Sequence, residues 1–330
     1  MVLRIVDRLD GVQLKVLVAG GAGFIGSHLV DRLVDADHDV IVLDNFSTGR
    51  TTNLSNSQGR PNFRLVRADI RNIPHSLVKR LKRVDRVVHL AVLTSVQESI
   101  RDPVSTTDVN VVGTLNVLEA AKALKAERVV FASSAAVYGA PKAFPIAEDA
   151  SISPISPYGA SKAASELYIG SFEENHGIEG VSLRYFNVYG PRQTPGQYAG
   201  VISIFAKRTL NQQPLHIFGD GSQTRDFIYI SDVVNATIAA LENPLKSRVF
   251  NIATGNEITI LQLAKTMQRI TQSRPDLKLG PPRSGDIARS VADVTKARNE
   301  LGFTSRMSLS QGLSATIEWL ARENHAKPKG

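Results

Sequence analysis

Residues 14–29, LKVLVAGGAGFIGSHL, restrict the fold more than any other part of the chain. LKVLVAG (14–20) is an unbroken apolar run ending in glycine, as expected of a strand buried on both faces. A helical pattern follows from Phe24 to Asp35, so strand, glycine turn and helix succeed one another without a linker. Gly21, Gly23 and Gly26 fit G-x-G-x-x-G, and Gly20 extends the match. A glycine match alone is weak, but this one follows a strand and opens a helix, as a dinucleotide fingerprint requires. Its glycines permit a tight turn and a close approach to a pyrophosphate, which sits on the unpaired N–H groups of the helix N-terminus. Gly20, Gly23, Phe24, Ile25 and Gly26 are therefore candidate cofactor contacts.

The rhythm continues through the first half. Strand-like runs at 39–44, 63–69, 85–91, 127–134 and 180–187 are separated by helical segments, notably 104–125 and 157–175. Such alternation predicts an α/β fold, a Rossmann-type doubly wound parallel sheet covered on both faces. After Asn187 the pattern changes. YGPRQTPGQYAG (189–200), FGDGSQTRD (218–226) and GPPRSGD (280–286) read as loops, between helices at about 200–211, 231–242, 259–272 and 308–323. The expected organisation is a dinucleotide-binding domain over 1–187, with return segments near 231–258. Residues 188–330 would form mainly a smaller, loop-rich α/β lobe that binds substrate.

Composition removes several classes. The chain has no cysteine, which excludes disulfides, thiolate metal sites and cysteine nucleophiles. We expect no metal, no membrane span and no signal peptide, and a cytoplasmic location. Lys and Arg outnumber Asp and Glu by 39 to 31, yet they are scattered. VKRLKRVDR (78–86) reads as the solvated face of a short helix, so nucleic acid is not the expected partner.

Asp44 ends the second strand, where a carboxylate accepts from ribose hydroxyls and repels a 2′-phosphate, favouring NAD over NADP. Asp69, closing the third strand, is a candidate adenine contact. In SPYGASK (156–162), Ser156 caps a helix, Pro157 fits its first turn, and Tyr158 and Lys162 share one face at i and i+4. A free phenol titrates near pH ~10 and is a poor base. A neighbouring ammonium and a cationic nicotinamide favour the phenolate. Beside a dinucleotide fingerprint, the pair reads as an acid/base station.

GGAGFIGSHL, LDNFSTG, HLA, DVNVVGTLNVLEAA, FASSAAVYG, PYGASKAASE, RYFNVYGPRQ, IFGDGSQTRDFIYISDVV and GDIARSVADVTKA span about 14–303. Through these segments the chain resembles the extended short-chain dehydrogenase/reductase family, and within it the nucleotide-sugar 4-epimerases. The resemblance implies that Tyr158 is the acid/base, that Lys162 binds the nicotinamide ribose and tunes it, and that Ser134 bonds the sugar 4-oxygen. It implies further cofactor contacts at Asn45, Ile70, Leu90, Ala91, Asn110, Ser133 and Phe186. Substrate contacts fall on Ser95, Asn187, Val201, His216, Ile217, Phe218, Arg225, Arg283, Asp286 and Ser290. The two arginines suit a diphosphate.

What the chain lacks narrows the chemistry. Related dehydratases carry an Asp-Glu pair before VYG, and related decarboxylases a Glu; here the residues are Ser134, Ala135 and Ala136. The implied activity is NAD-dependent inversion at C4 of a UDP-hexose through a transient 4-keto sugar and NADH. Ser290, four after Asp286, stands where a bulky Tyr restricts relatives to plain hexoses, so UDP-GlcNAc/UDP-GalNAc join UDP-Glc/UDP-Gal as implied substrates. A UDP-glucuronate 4-epimerase or another NAD-dependent nucleotide-sugar oxidoreductase is the second reading. An NAD-binding regulator or RNA-associated protein on the same fold is the non-enzymatic one. The family also implies a homodimer, built on helices 104–125 and 157–175.

Overall fold

β1 (Lys15–Ala19) leads through the glycine turn into α1 (Phe24–Asp35). The computed structural model describes residues 13–193, 200–282 and 287–326. β2 (Asp39–Asp44), β3 (Phe63–Arg67), α2 (His75–Leu81) and β4 (Arg86–His89) follow. Next come α3 (Val96–Arg101), α4 (Pro103–Thr107), α5 (Gly113–Ala123), β5 (Arg128–Ser134), α6 (Pro157–His176) and β6 (Glu179–Tyr185). The second half contains β7 (Asn187–Tyr189), α7 (Val201–Leu210), β8 (Leu215–Phe218), β9 (Thr224–Tyr229) and α8 (Ile230–Glu242). β10 (Val249–Ile252), β11 (Glu257–Thr259), α9 (Ile260–Thr271), β12 (Leu277–Gly280), α10 (Thr295–Leu301) and α11 (Leu309–Ala326) complete it.

Seven strands form one parallel sheet in the order β10-β6-β5-β4-β1-β2-β3. Strand alternation splits its core. Val16 and Val18 of β1 join Leu29, Val30 and Leu33 of α1 and Val233 of α8 on one face. Leu17 and Ala19 join Val117, Leu118 and Ala121 of α5 and Phe172 of α6 on the other. The order of strands reverses beside β1, which pairs with both β2 and β4. Open sheets of this kind place ligands outside the strand C-termini at that reversal. A three-stranded sheet (β11-β9-β7) and a two-stranded one (β12-β8) form beside it from the second half.

Three expectations change. The helix expected at 104–125 is interrupted: a π-turn over Asp108–Val112 separates α4 from α5. The basic stretch 78–86 is only half helical, since α2 stops at Leu81 and Arg86 opens β4, with Val78 and Leu81 buried. The loop expected at 218–226 is shorter, because β8 runs to Phe218 and β9 starts at Thr224, leaving 219–223 as the turn.

Candidate active site

The crevice at the sheet reversal is built by exclusion of side chains. Gly20 takes φ +83°, and a Cβ there would lie 2.6 Å from the Ala91 nitrogen and 2.8 Å from the Leu90 carbonyl carbon. A Cβ on Gly26 would lie 2.2 Å from the Gly20 carbonyl oxygen. Glycine is required at both positions. α1 begins at Phe24 with Gly23 as its N-cap; no side chain caps it and no acidic residue lies in its first turn. Its leading N–H groups, from Phe24, Ile25 and Gly26, are thus left for an anion, with the positive end of the helix dipole behind them. This cradle fits a dinucleotide pyrophosphate.

Asp44 is buried, and its two carboxylate oxygens accept from the Ala22 N–H at 2.9 Å and the Phe46 N–H at 2.8 Å. It braces the glycine turn against the loop after β2. Burial pushes its carboxyl up, against the pull of those two N–H donors. Asn45 donates to Asp69 at 2.9 Å, and Arg71 grips the same carboxylate through Nη2 at 2.8 Å. That guanidinium holds Asp69 well below the usual carboxylate range. Asp69 is therefore tied in a surface pair beside the Asp44 loop. Ile70 is buried and lies where a Cβ on Gly113 would meet it at 2.6 Å.

The second centre forms where β5 ends and α6 begins. Ser156 caps α6 by accepting from the Gly159 N–H at 3.1 Å, with Pro157 at its first position. The Tyr158 phenol lies beside Ser134, the last residue of β5. Burial pushes the Tyr158 phenol up while the Ser134 hydroxyl pulls it back. Lys162 is 1% exposed, donates to the Ala132 carbonyl at 2.5 Å, and lies 4.5 Å from the Phe131 ring centroid and 6.0 Å from that of Tyr158. Burial pulls its ammonium down to about 7, and Glu166 acts in the opposite sense. The arrangement holds a phenol, a hydroxyl and a readily deprotonated ammonium together, as general acid/base chemistry requires.

Several expected contacts are bonded or packed within the walls of the crevice. Asn110 is fully buried in the π-turn, and its amide exchanges bonds with Leu93 (2.8 and 3.1 Å) and donates to Ser161 at 3.0 Å. The Ser133 hydroxyl donates to Glu166. Phe186 is buried among Val137, Tyr138 and Ala163. Ser95 caps α3, accepting from the Glu98 N–H at 3.1 Å. Ile217 is core, so it offers a ligand only backbone, whereas its neighbour His216 is exposed. Asn110, Ser133 and Ser95 are satisfied internally because burying them unpaired would be costly.

In the second half, Phe218 lines a cleft of about 670 Å³ with Gly219, Gln223, Gly280, Ile287 and Ala288. Asn187 opens β7 beside Phe227, and Val201 opens α7. Arg225 donates through Nη1 to the carbonyls of Thr224 (2.7 Å) and Ile287 (2.6 Å), stapling the 287–290 segment to β9. Ser290 is buried. Arg283 and Asp286 lie outside the described residues. Sequence reasoning passed over Glu166, Ser99, Ser161 and Arg184. Ser99 accepts from the Tyr158 N–H at 3.1 Å, and Ser161 donates to the Tyr158 carbonyl at 2.7 Å. For Glu166 a signal existed, since it repeats the Tyr158–Lys162 face one more turn along α6.

A dinucleotide cradle joined to a Ser–Tyr–Lys station defines a class of NAD-linked enzyme. Residues 16–253 match the model of the NAD dependent epimerase/dehydratase family. The chain belongs to this family: it is an NAD-dependent enzyme, an isomerase. It is 41% identical over 310 residues to a putative UDP-glucose 4-epimerase of Methanocaldococcus jannaschii, covering 94% of this chain and 99% of that one. The crystal structure of Thermotoga maritima UDP-glucose 4-epimerase with UDP-glucose matches with TM-score 0.88 and 39% identity, over 94% of this chain and all of that one. The Methanobrevibacter ruminantium UDP-N-acetylglucosamine 4-epimerase, in complex with UDP-N-acetylmuramic acid, matches with TM-score 0.89 and 38% identity, over 94% and 99%.

Proposed function

We propose that the chain inverts C4 of a UDP-hexose, UDP-Glc/UDP-Gal and also UDP-GlcNAc/UDP-GalNAc. The observation that carries this reading is the grouping of Ser134, Tyr158 and a buried Lys162, with Ala135 and Ala136 where an added acid would stand. The nearby carboxylate, Glu166, is buried and held by Arg184, so it is poorly placed to eliminate water or assist decarboxylation. What remains is proton and hydride chemistry that reverses on itself.

NAD, when bound, supplies the acceptor and then the donor of the C4 hydride. Tyr158 Oη takes the 4-hydroxyl proton, steadied by the Ser134 hydroxyl, and returns it after the 4-keto sugar has turned over. Charged Lys162 favours the phenolate and counters the burial that keeps Tyr158 protonated. Arg225, with Arg283, anchors the diphosphate while the sugar rotates. Ser290 leaves room for an N-acetyl group. The likeness to both a UDP-glucose and a UDP-N-acetylglucosamine epimerase supports this breadth. Exposed apolar side chains on α3, α4 and α6, including Ile100, Val104, Leu167 and Tyr168, support a homodimer through this face.

Incubation with UDP-Gal, UDP-GalNAc and UDP-GlcA separately, each resolved from its C4 epimer, tests the reading. Conversion of the first two is expected; conversion of none overturns it. Tyr158→Phe should cut turnover by about 10²–10⁴-fold with NAD still bound. Ser290→Tyr should depress UDP-GalNAc turnover selectively, and equal loss on UDP-Gal would remove the gate.

A further inference from the structure

α6 presents three side chains on one face, Tyr158, Lys162 and Glu166, and the third has no role in the reaction above. Glu166 Oε1 accepts from the Ser133 hydroxyl of β5 and from Arg184 Nε of β6 at 3.0 Å, while Oε2 accepts from Arg184 Nη2 at 2.7 Å. Arg184 is itself fixed. Its Nη1 donates to the Tyr138 hydroxyl and to the Glu148 carbonyl, both at 2.9 Å, and Tyr138 donates onward to Asn251 at 2.6 Å. Ser133 directly precedes Ser134. Glu166 thus joins the helix that carries Tyr158 and Lys162 to the strand that carries their hydroxyl partner.

Resting on the reading of Tyr158 as acid/base, we propose that Glu166 is a positioning residue for that reaction. Its carboxylate locks α6 onto the end of β5, so that Ser134 and Tyr158 stay side by side, and it holds the Lys162 charge in place. Stability alone gives little reason for a buried ion pair here, since apolar replacements of such pairs are often neutral or stabilising. Register does give one, because a displacement of about 1 Å at a reacting group costs on the order of 10²-fold in rate.

The charges around Lys162 point the same way. His89 faces it from β4, buried and neutral near pH 7, and Tyr158 faces it from α6 itself. Glu166 is the group that favours the ammonium against burial. Behind Glu166 stand Arg184, Tyr138 and Glu148.

Two substitutions separate the roles. Ser133→Ala cuts the strand–helix tie and leaves the Glu166–Arg184 pair intact. It should lower kcat about ten-fold with KM within about two-fold and NAD retained, and Ser133→Thr should restore kcat. Glu166→Gln should lower kcat by up to about 10²-fold. In the same variant the Lys162 titration, followed by NMR of 13Cε-labelled lysine and assigned by its loss in Lys162→Met, should move to lower pH. Wild-type kcat in Ser133→Ala, equal loss in the Ala and Thr variants, or an unmoved Lys162 titration would each overturn the proposal. If the wild-type chain converts no UDP-sugar, the proposed function falls, while the Lys162 titration still decides whether Glu166 supports that charge.

Discussion

Two arginine–carboxylate pairs hold the two halves of the site, in opposite surroundings. Arg184 and Glu166 meet at 2.7 Å with side chains 4% and 7% exposed, inside the cage behind Tyr158 and Lys162. Arg289 and Glu257 meet at 2.6 Å with 51% and 22% exposed, beside Ser290 on the proposed substrate side, with the guanidinium over the Phe144 ring. The bond lengths match, but the solvation does not. In the buried pair neither partner has water to fall back on, so losing one strands the other. In the exposed pair water replaces whichever partner leaves, so this contact beside Ser290 exchanges cheaply, while Arg225 and the Thr224 N–H hold the segment to β9. The proposed chemistry therefore sits on the dehydrated pair, and the proposed sugar gate beside the hydrated one.

The largest break in that comparison is Arg184→Met. It leaves Glu166 buried and uncompensated, and should cost about 3–5 kcal/mol in denaturant unfolding. A cost below about 1 kcal/mol would show that the cage is not the dry environment described. Lys162→Met should act in the opposite direction. The folded protein holds Lys162 at about 7, below the unfolded lysine value of about 10.4, so between those values it binds fewer protons than the unfolded chain. The burden on stability is therefore full below about pH 7 and lifts as pH rises toward 10. In the NAD-free protein the variant should melt a few degrees above wild type at pH 7, with the gap closing by pH 10. A gap that does not vary with pH would contradict the shift. The smallest effect is expected from Arg289→Met, a barely measurable change in melting with more effect on sugar selectivity. A loss as large as that of Arg184→Met would erase the contrast.

Much of this was legible in order along the chain. The helix expected from about Phe24 to Asp35 is found there, because a buried strand, a glycine turn and an amphipathic face are all local signals. The helix of Tyr158 and Lys162 was placed within a residue by Ser156 and Pro157. The interruption at Asp108–Val112 was not legible, since nothing in those residues' own propensities breaks a helix. It accompanies an Asn110 side chain bonded to Leu93 and Ser161 and a Thr114 hydroxyl donating to the Asn110 carbonyl. α3 and α10 were missed because six or seven residues are too few for a periodicity to show.

By itself the sequence determined the parallel sheet, the glycine cradle and the Tyr158–Lys162 spacing, because these depend on residue type and period over a few adjacent positions. Only the tertiary structure decided that Ser133, Glu166 and Arg184 share one carboxylate, that Asn110 braces a wall, and that Lys162 titrates near 7. Those outcomes rest on which groups distant in sequence exclude water from one another, and desolvation is a property of the packed neighbourhood rather than of the residue.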